Sequence, residues 1–349
     1  MSRFSIPSFK FIVTALCLVV IAAQLSSCSQ PAEPIKLTGP TMGTRYNITL
    51  YPPEDVELDA KTIQQEIDAS LVRINQQMST YIKDSEISRF NDSQSTEWFP
   101  ISPEFLKVTT AAQKISEMSN GAFDITVGPL VNLWGFGPNF KNNNPDDDAI
   151  DAARESMGYQ RLELQQSPPA LRKQIPGLRI DLSAIAKGYA VDALAEQLEA
   201  EGITSYLVEV GGEIRAHGRK VNGDLWRIAI EKPSTTERII QEGILLDNVG
   251  VATSGDYRNY FERDGERYSH TIDPATGKPI KHRLASVTVL HESSMMADGL
   301  ATALMVLGEK QGETFLKDNK LSGYMISRAA NGNGFESWHN FSDELFIKP

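Results

Sequence analysis

The chain has 349 residues, with 34 basic and 45 acidic side chains and a formal charge of −11. Nucleic acid is bound chiefly by neutralising phosphates, so a chain this acidic is a poor candidate for it, and any polyphosphate ligand would call for a divalent cation. Cys17 and Cys28 are the only cysteines, and a chain of this length can bury a sizeable core without disulfides.

At the N-terminus Arg3 and Lys10 precede an uncharged run from Phe11 to Ala23, and no acid occurs before Glu33. That is the order of a secretory signal, and the run is shorter than the roughly 20 residues that cross a bilayer core. Leu25-Ser26-Ser27-Cys28 follows and resembles a bacterial lipobox. We therefore expect a signal peptide over 1–27 and lipid on Cys28. The alternative is an ordinary cleaved signal beside an incidental cysteine. Cleavage removes Cys17, so no disulfide can form, and removes two bases and no acid, taking the charge to −13. Residues 28–38, with Pro31 and Pro34, read as a tether, and 39–345 as one catalytic domain of one or two lobes. The expected address is a bacterial membrane, with the domain in the periplasm and the inner and outer membranes both open.

Further along, β-branched and alternating apolar residues predict strands at Tyr46–Tyr51, Leu207–Val210, Trp226–Ile230 and Ser286–Leu290. Helical spacing predicts helices at Ile63–Met78, Glu104–Met118, Ala184–Glu199 and Met296–Leu307. Gly135–Asp148, rich in Asn, Asp, Gly and Pro, reads as a long loop. Turns such as Asn222-Gly223 and Asp264-Gly265 favour antiparallel pairing, and the class is α+β.

Five segments could carry chemistry. Gly121–Phe136 mixes aromatics, glycines and Asp124, which suits either a planar ring or plain core packing. In Asp181–Asp192 an extended stretch meets a helix start, bringing a carboxylate, backbone groups and Lys187 together, or merely an N-cap and a solvated lysine. Val210-Gly211-Gly212-Glu213-Ile214 lacks the spacing of a phosphate-binding loop, and its glycines permit a bulge or a close backbone approach. Tyr268–Pro279 sets His270, a candidate base, beside a turn that is otherwise a structural hairpin. Asp298 and Thr302 stand four apart and share a face if helical, offering hard oxygen ligands suited to Mg²⁺.

Together with Thr41-Met42-Gly43-Thr44, Met78–Tyr81, Ser85–Asn91 and Thr253–Tyr257, these segments resemble the ApbE family, the FAD:protein FMN transferases, from about Gly39 through Thr302. The resemblance implies a T-fold-like α+β domain of antiparallel sheets with packed helices. It implies an enzyme that uses Mg²⁺ and FAD, moves the FMN half onto a threonine or serine hydroxyl of an acceptor protein as a phosphoester, and releases AMP. By that resemblance FAD would meet Met42, Tyr81, Ala122, Phe123, Asp124, Asp181, Lys187 and Ile272. Mg²⁺ would be held by Asp298, Thr302 and the carbonyl of Ala184, with His270 or Asp298 as the base. Acceptors would be flavoprotein subunits of membrane redox complexes such as Na⁺-translocating NADH:quinone oxidoreductase and the Rnf type. A Mg²⁺-dependent FAD pyrophosphatase and a non-catalytic FAD-binding lipoprotein remain open as alternatives.

Overall fold

The structure, a computed structural model, describes residues 33–347 except 54–57, 138–143, 235–236, 238, 258–259 and 264–265. The expected signal peptide, Cys28 and the Asp264-Gly265 turn thus lie outside the described residues, as does part of the expected 135–148 loop.

The main sheet has eight strands: β1 (Ile35–Thr41), β2 (Thr44–Leu50), β3 (Tyr206–Val210), β4 (Glu213–His217), β5 (Val249–Gly255), β6 (Leu284–His291), β7 (Ser322–Arg328) and β8 (Phe335–His339). They lie side by side in chain order and every neighbouring pair is antiparallel. Insertions bulge out between neighbours without disturbing this meander. The longest separates β2 from β3 and carries α1 (Ala60–Met78), α2 (Glu86–Asp92), α3 (Pro103–Met118), α4 (Gly128–Leu133), α5 (Asp147–Glu155) and α6 (Ala186–Ala200). The last helix, α7 (Ser294–Asp318), joins β6 to β7. The α+β class and the antiparallel pairing match the expectation.

Strand periodicity explains the layering. Ala252, Val289 and Met325 enter the core shared with the helices, while their neighbours Val251, Leu290 and Tyr324 enter a second core on the other face. That second core is closed by the hairpin Trp226–Glu231/Ile240–Leu246. The α1 stripe Ile63, Ile67, Leu71, Ile74 and Met78 packs into the first core at helical spacing. A third, smaller cluster joins Leu130, Trp134, Ile150, Met157 and Ile272.

Several boundaries differ from those expected. The first strand begins at Ile35, inside the stretch read as tether, because alternating Leu37, Gly39 and Thr41 pair with β2. Asp146 caps α5, so Asp147 and Asp148 are helical rather than loop. Helix α6 starts at Ala186, two residues late, because 182–185 form a turn in which Leu182 O accepts from Ile185 N and Ala186 N. Helix α7 runs past Leu307 through a break at Gly308 (φ +72), where a Cβ would stand 2.7 Å from the His282 ring. The short helices α2, α4 and α5 hold too few turns to show a period.

Lys173 is buried with no carboxylate in contact among the described residues; its ammonium donates to Asn91 O (3.2 Å) and Ser93 O (2.7 Å) over the Phe90 ring. Burial, helped by Arg179 and opposed by Asp92, pulls it down to about 8. The unfolded chain then binds more protons between pH 8 and 10.5, so this group makes stability rise with pH across that window. Urea unfolding at pH 7 and pH 10 should show a rise of up to about 3 kcal/mol from this group, absent in Lys173→Met.

Candidate functional site

Helices α6 and α7 each supply the other's N-terminal cap. Helix α6 has no side-chain cap of its own at Ile185, and its first-turn Gly188 N donates to Asp298 Oδ2 of α7 at 3.0 Å. In return Asp192 of α6 accepts from Ser293 Oγ (2.6 Å), Ser294 N (3.0 Å) and Met295 N (3.0 Å) at the start of α7. Arg215 of β4 pairs with the same Asp192 at 3.3 Å. Such an exchange needs close approach, and Gly188 permits it: a Cβ there would lie 2.3 Å from Ser294 O and 2.8 Å from Asp298 Cβ. Gly188→Ala should therefore push the helices apart, lower stability by about 1–3 kcal/mol and displace Asp298. Paired measurements of Tm and activity test this, since an unchanged variant would mean the contact is slack.

Beside this crossing stands a buried charge cluster. Lys187 Nζ is 2.7 Å from Glu213 Oε1 and 4.0 Å from Asp298 Oδ1, and both carboxylates are almost wholly buried. Burial works against the Lys187 ammonium, yet Asp298 and Glu213 together raise it above its ordinary value. Burial, reinforced by Asp298 and opposed by Lys187, pushes Glu213 up to about 8. Burial also raises Asp298, against the pull of Lys187 and of the Gly188 amide. Glu213 Oε2 is buried and has no hydrogen-bond partner among the described residues. Two carboxylates thus share one cation, and an acceptor oxygen is left over.

The surrounding turns bring the chain's glycines into play. Gly211 (φ +62) and Gly212 (φ +109) make the tight turn that delivers Glu213. A Cβ on Gly211 would meet Thr44 Cγ2 at 2.8 Å and Lys187 Cδ at 3.2 Å, so the β1–β2 turn abuts the lysine. In that turn Met42 itself has φ +47, a conformation that long side chains rarely adopt and that tends to occur at ligand sites.

Three of the expected contact residues sit on scaffolding whose bonds are visible. Asp181 N donates to Ile125 O (2.7 Å), and Asp181 Oδ1 accepts from Ser183 N (2.7 Å), so the 122–126 loop is fastened next to the turn that carries Ala184. Asn91 grips Ile180 by both backbone groups at 2.8 Å. Ser85 caps α2 and donates to Ser79 O (2.7 Å), fixing the loop from which Tyr81 projects, 73% exposed. Asp124 has both oxygens occupied, by Thr126 N (2.7 Å), Thr126 Oγ1 (2.6 Å) and Tyr159 N (3.0 Å). Phe123 packs in the main core and Ile272 in the third cluster, while Ala122 stays half-buried. For Phe123, Trp134 and Ile272 core packing accounts for the side chains, which leaves their backbones as the groups available to a ligand.

Thr302 lies one turn along α7 from Asp298, with its hydroxyl 3.4 Å from that of Ser254 on β5. No group of three His, Cys, Asp or Glu fit for a metal occurs among the described residues. A cation here would instead rest on one carboxylate, a hydroxyl and backbone oxygen, a hard-oxygen set. His270 stands on a separate element, between the strands Glu266–Ser269 and Ile272–Asp273, edge-on to Phe136 with ring centroids 6.4 Å apart. Asp273 caps the following turn through Ala275 N (2.9 Å) and Thr276 Oγ1 (3.0 Å), as the plain hairpin reading requires.

Sequence reasoning gave Glu213 no role. Its one signal was the pair of glycines before it, which here prove to mark a close approach to Lys187.

Comparison with known proteins gives a consistent result. The model of the ApbE family matches residues 42–325. The FAD:protein FMN transferase of Vibrio cholerae is 49% identical over 333 residues, covering 95% of this chain and 98% of the relative. The enzyme of the same name from Escherichia coli K12 is 40% identical over 345 residues, covering 96% and 97%. Among solved structures, the flavin transferase ApbE from Vibrio cholerae superimposes with a TM-score of 0.82 at 47% identity, covering 91% of this chain and all of that one. The apo flavinyl transferase ApbE of Pseudomonas stutzeri gives 0.83 at 41% identity, covering 91% and 98%.

Proposed function

The chain belongs to the ApbE family, and from that premise we propose a site and a mechanism for moving FMN from FAD to a protein acceptor, the reaction for which its relatives are named. It is a transferase of that kind. The observation that carries the site is the buried pair Glu213 and Asp298 around one lysine, with Glu213 Oε2 unpartnered among the described residues. When all three groups are ionised the cluster carries a net negative charge, so it suits one further cation.

Mg²⁺ would be held by Asp298, Thr302 and the Ala184 carbonyl, all hard oxygen donors. When bound, such an ion supplies positive charge to the pyrophosphate and to the departing AMP. Lys187 is the protein's own positive group at this point, oriented by Glu213. Exposed Tyr81 offers a face for stacking, while Met42, Ala122, Phe123, Asp124, Asp181 and Ile272 line the flavin chiefly through backbone and turn geometry. The acceptor hydroxyl oxygen bonds to the phosphorus on the FMN side as that phosphorus releases the bridging oxygen, and AMP leaves. The hydroxyl proton passes to His270, whose ring is steadied by Phe136, with Asp298 as the other candidate. Most of the rate would come from in-line positioning and charge neutralisation.

The test is to incubate the mature protein with FAD, MgCl₂ and an acceptor flavoprotein domain, following AMP and protein-bound fluorescence on a denaturing gel. AMP together with labelled acceptor, both lost in EDTA, supports the reading. AMP with free FMN would indicate hydrolysis, and intact FAD would indicate binding alone.

The order of the first 28 residues supports export and lipid attachment at Cys28, which would confine the domain near acceptors in membrane redox complexes of the NADH:quinone oxidoreductase and Rnf kinds. Cells fed labelled palmitate should mark the wild-type chain and not Cys28→Ala. Equal labelling of both would remove the anchor assignment.

A further inference from the structure

The hairpin that follows His270 and the helix that carries Asp298 and Thr302 are separate elements, and one side chain ties them together. Ile280 N donates to Thr271 O at 3.1 Å, so the returning strand of the hairpin is bonded to the residue next to His270. Two residues on, His282 reaches α7, where its Nε2 lies 2.8 Å from Met305 O. A carbonyl oxygen only accepts, so Nε2 carries the proton and donates. Met305 stands three residues beyond Thr302, within one helical turn of it. The tip of the hairpin is held from another side, where Trp134 Nε1 donates to Gly277 O at 2.8 Å and Ile272 packs in the third cluster.

Helix α7 is shaped to receive this contact. The break at Gly308 (φ +72, ψ −177) interrupts its backbone ladder, so carbonyls of the preceding turn need donors from elsewhere. His282 supplies one to Met305. A Cβ at Gly308 would stand 2.7 Å from His282 Cδ2 and 2.9 Å from Cγ, so the ring rests on bare backbone. Its Nδ1 is buried and has no hydrogen-bond partner among the described residues. An apolar ring would fill the same space without leaving that nitrogen unsatisfied, so what histidine adds here is the bond to Met305. Arg283, next in the chain, pairs with Glu309 at 3.3 Å on the far side of the break. Residues 282 and 283 therefore straddle Gly308.

Resting on the transferase reading above, we propose that His282 is a positioning residue: by holding Met305 it fixes the separation between the hairpin next to His270 and the turn of α7 that bears Asp298 and Thr302. Transfer to a hydroxyl needs the base and the charge on the pyrophosphate at a set distance, and a shift of about 1 Å costs up to about a hundredfold in rate.

The test uses the full mature chain. His282→Phe keeps a ring against Gly308 and removes the donor. His282→Asn, whose amide stands near the Nδ1 position and short of Met305 O, is measured beside it in case the first variant does not fold. His282→Gln returns an N–H close to the place of Nε2. Each is assayed with FAD, MgCl₂ and an acceptor flavoprotein domain, well below its own Tm. Both His282→Phe and His282→Asn should lower kcat for transfer between about ten- and a hundredfold with the FAD dissociation constant unchanged, and His282→Gln should recover most of the loss. Hydrogen exchange followed by mass spectrometry should speed up over residues 271–281 in the first two variants and return to the wild-type rate in His282→Gln. A lower Tm with wild-type kcat would overturn the proposal and leave His282 a helix cap alone. Unchanged exchange in the hairpin would overturn it too, as would a loss of FAD affinity matching the loss of rate. The exchange measurement needs no turnover, so absence of transfer by the wild-type chain, with the hairpin still loosened in His282→Phe, would strike the transferase reading and not the tie.

Discussion

Asp298→Ala should abolish AMP formation at ordinary Mg²⁺ concentrations, a loss of at least about a thousandfold if the carboxylate holds the metal. The substitution also removes the acceptor for Gly188 N, so a loss of about 1 kcal/mol in stability is expected from the missing cap alone. Asp298→Asn separates the two effects. The amide oxygen can still accept from Gly188 N and fills the same volume, so folding should be nearly unchanged, whereas a neutral ligand holds Mg²⁺ poorly. Raising MgCl₂ should restore part of the activity of Asp298→Asn and little of that of Asp298→Ala. Full activity in Asp298→Asn at low Mg²⁺ would sink the metal assignment and leave Asp298 with its capping role only.

That dual position explains what could be read in advance and what could not. Asp298 and Thr302 were legible as a pair because both lie on one helix, where four residues make one turn. The α1 stripe from Ile63 to Met78 was legible for the same reason. Strands β5 to β7 were only partly so, because successive residues such as Val251 and Ala252 serve opposite cores and no alternation survives. The exchange of caps between Asp192 and Asp298 is invisible in sequence, since each looks like an ordinary helical acid until Gly188 sets how closely α6 and α7 cross. Glu213 was missed on similar grounds. Twenty-six positions separate it from Lys187, and only the β3–β4 turn folding against the start of α6 makes them neighbours. Local chemistry is written in short spacings, whereas this charge cluster is written in tertiary packing.

Lys187→Met should show how much that packing depends on charge. The wild-type cluster places two buried carboxylates around one ammonium, and removing the ammonium leaves Glu213 and Asp298 to face each other without compensation. Breaking a buried pair from one side typically costs about 3–5 kcal/mol, far more than the small volume change explains. The pH dependence identifies the cause. Both carboxyls are already raised in the folded state, Glu213 to about 8 and Asp298 in the same direction. A carboxyl so raised is bound by no penalty below its unfolded value near pH 4, and its stabilising protonation is lost as pH climbs through the folded value. Without Lys187 that loss deepens. Urea unfolding in EDTA should therefore find Lys187→Met close to wild type at pH 5 and much weaker at pH 8, with Lys187→Arg near wild type at both. A deficit equal at the two pH values would mean that lost packing, not unpaired charge, destabilises the variant.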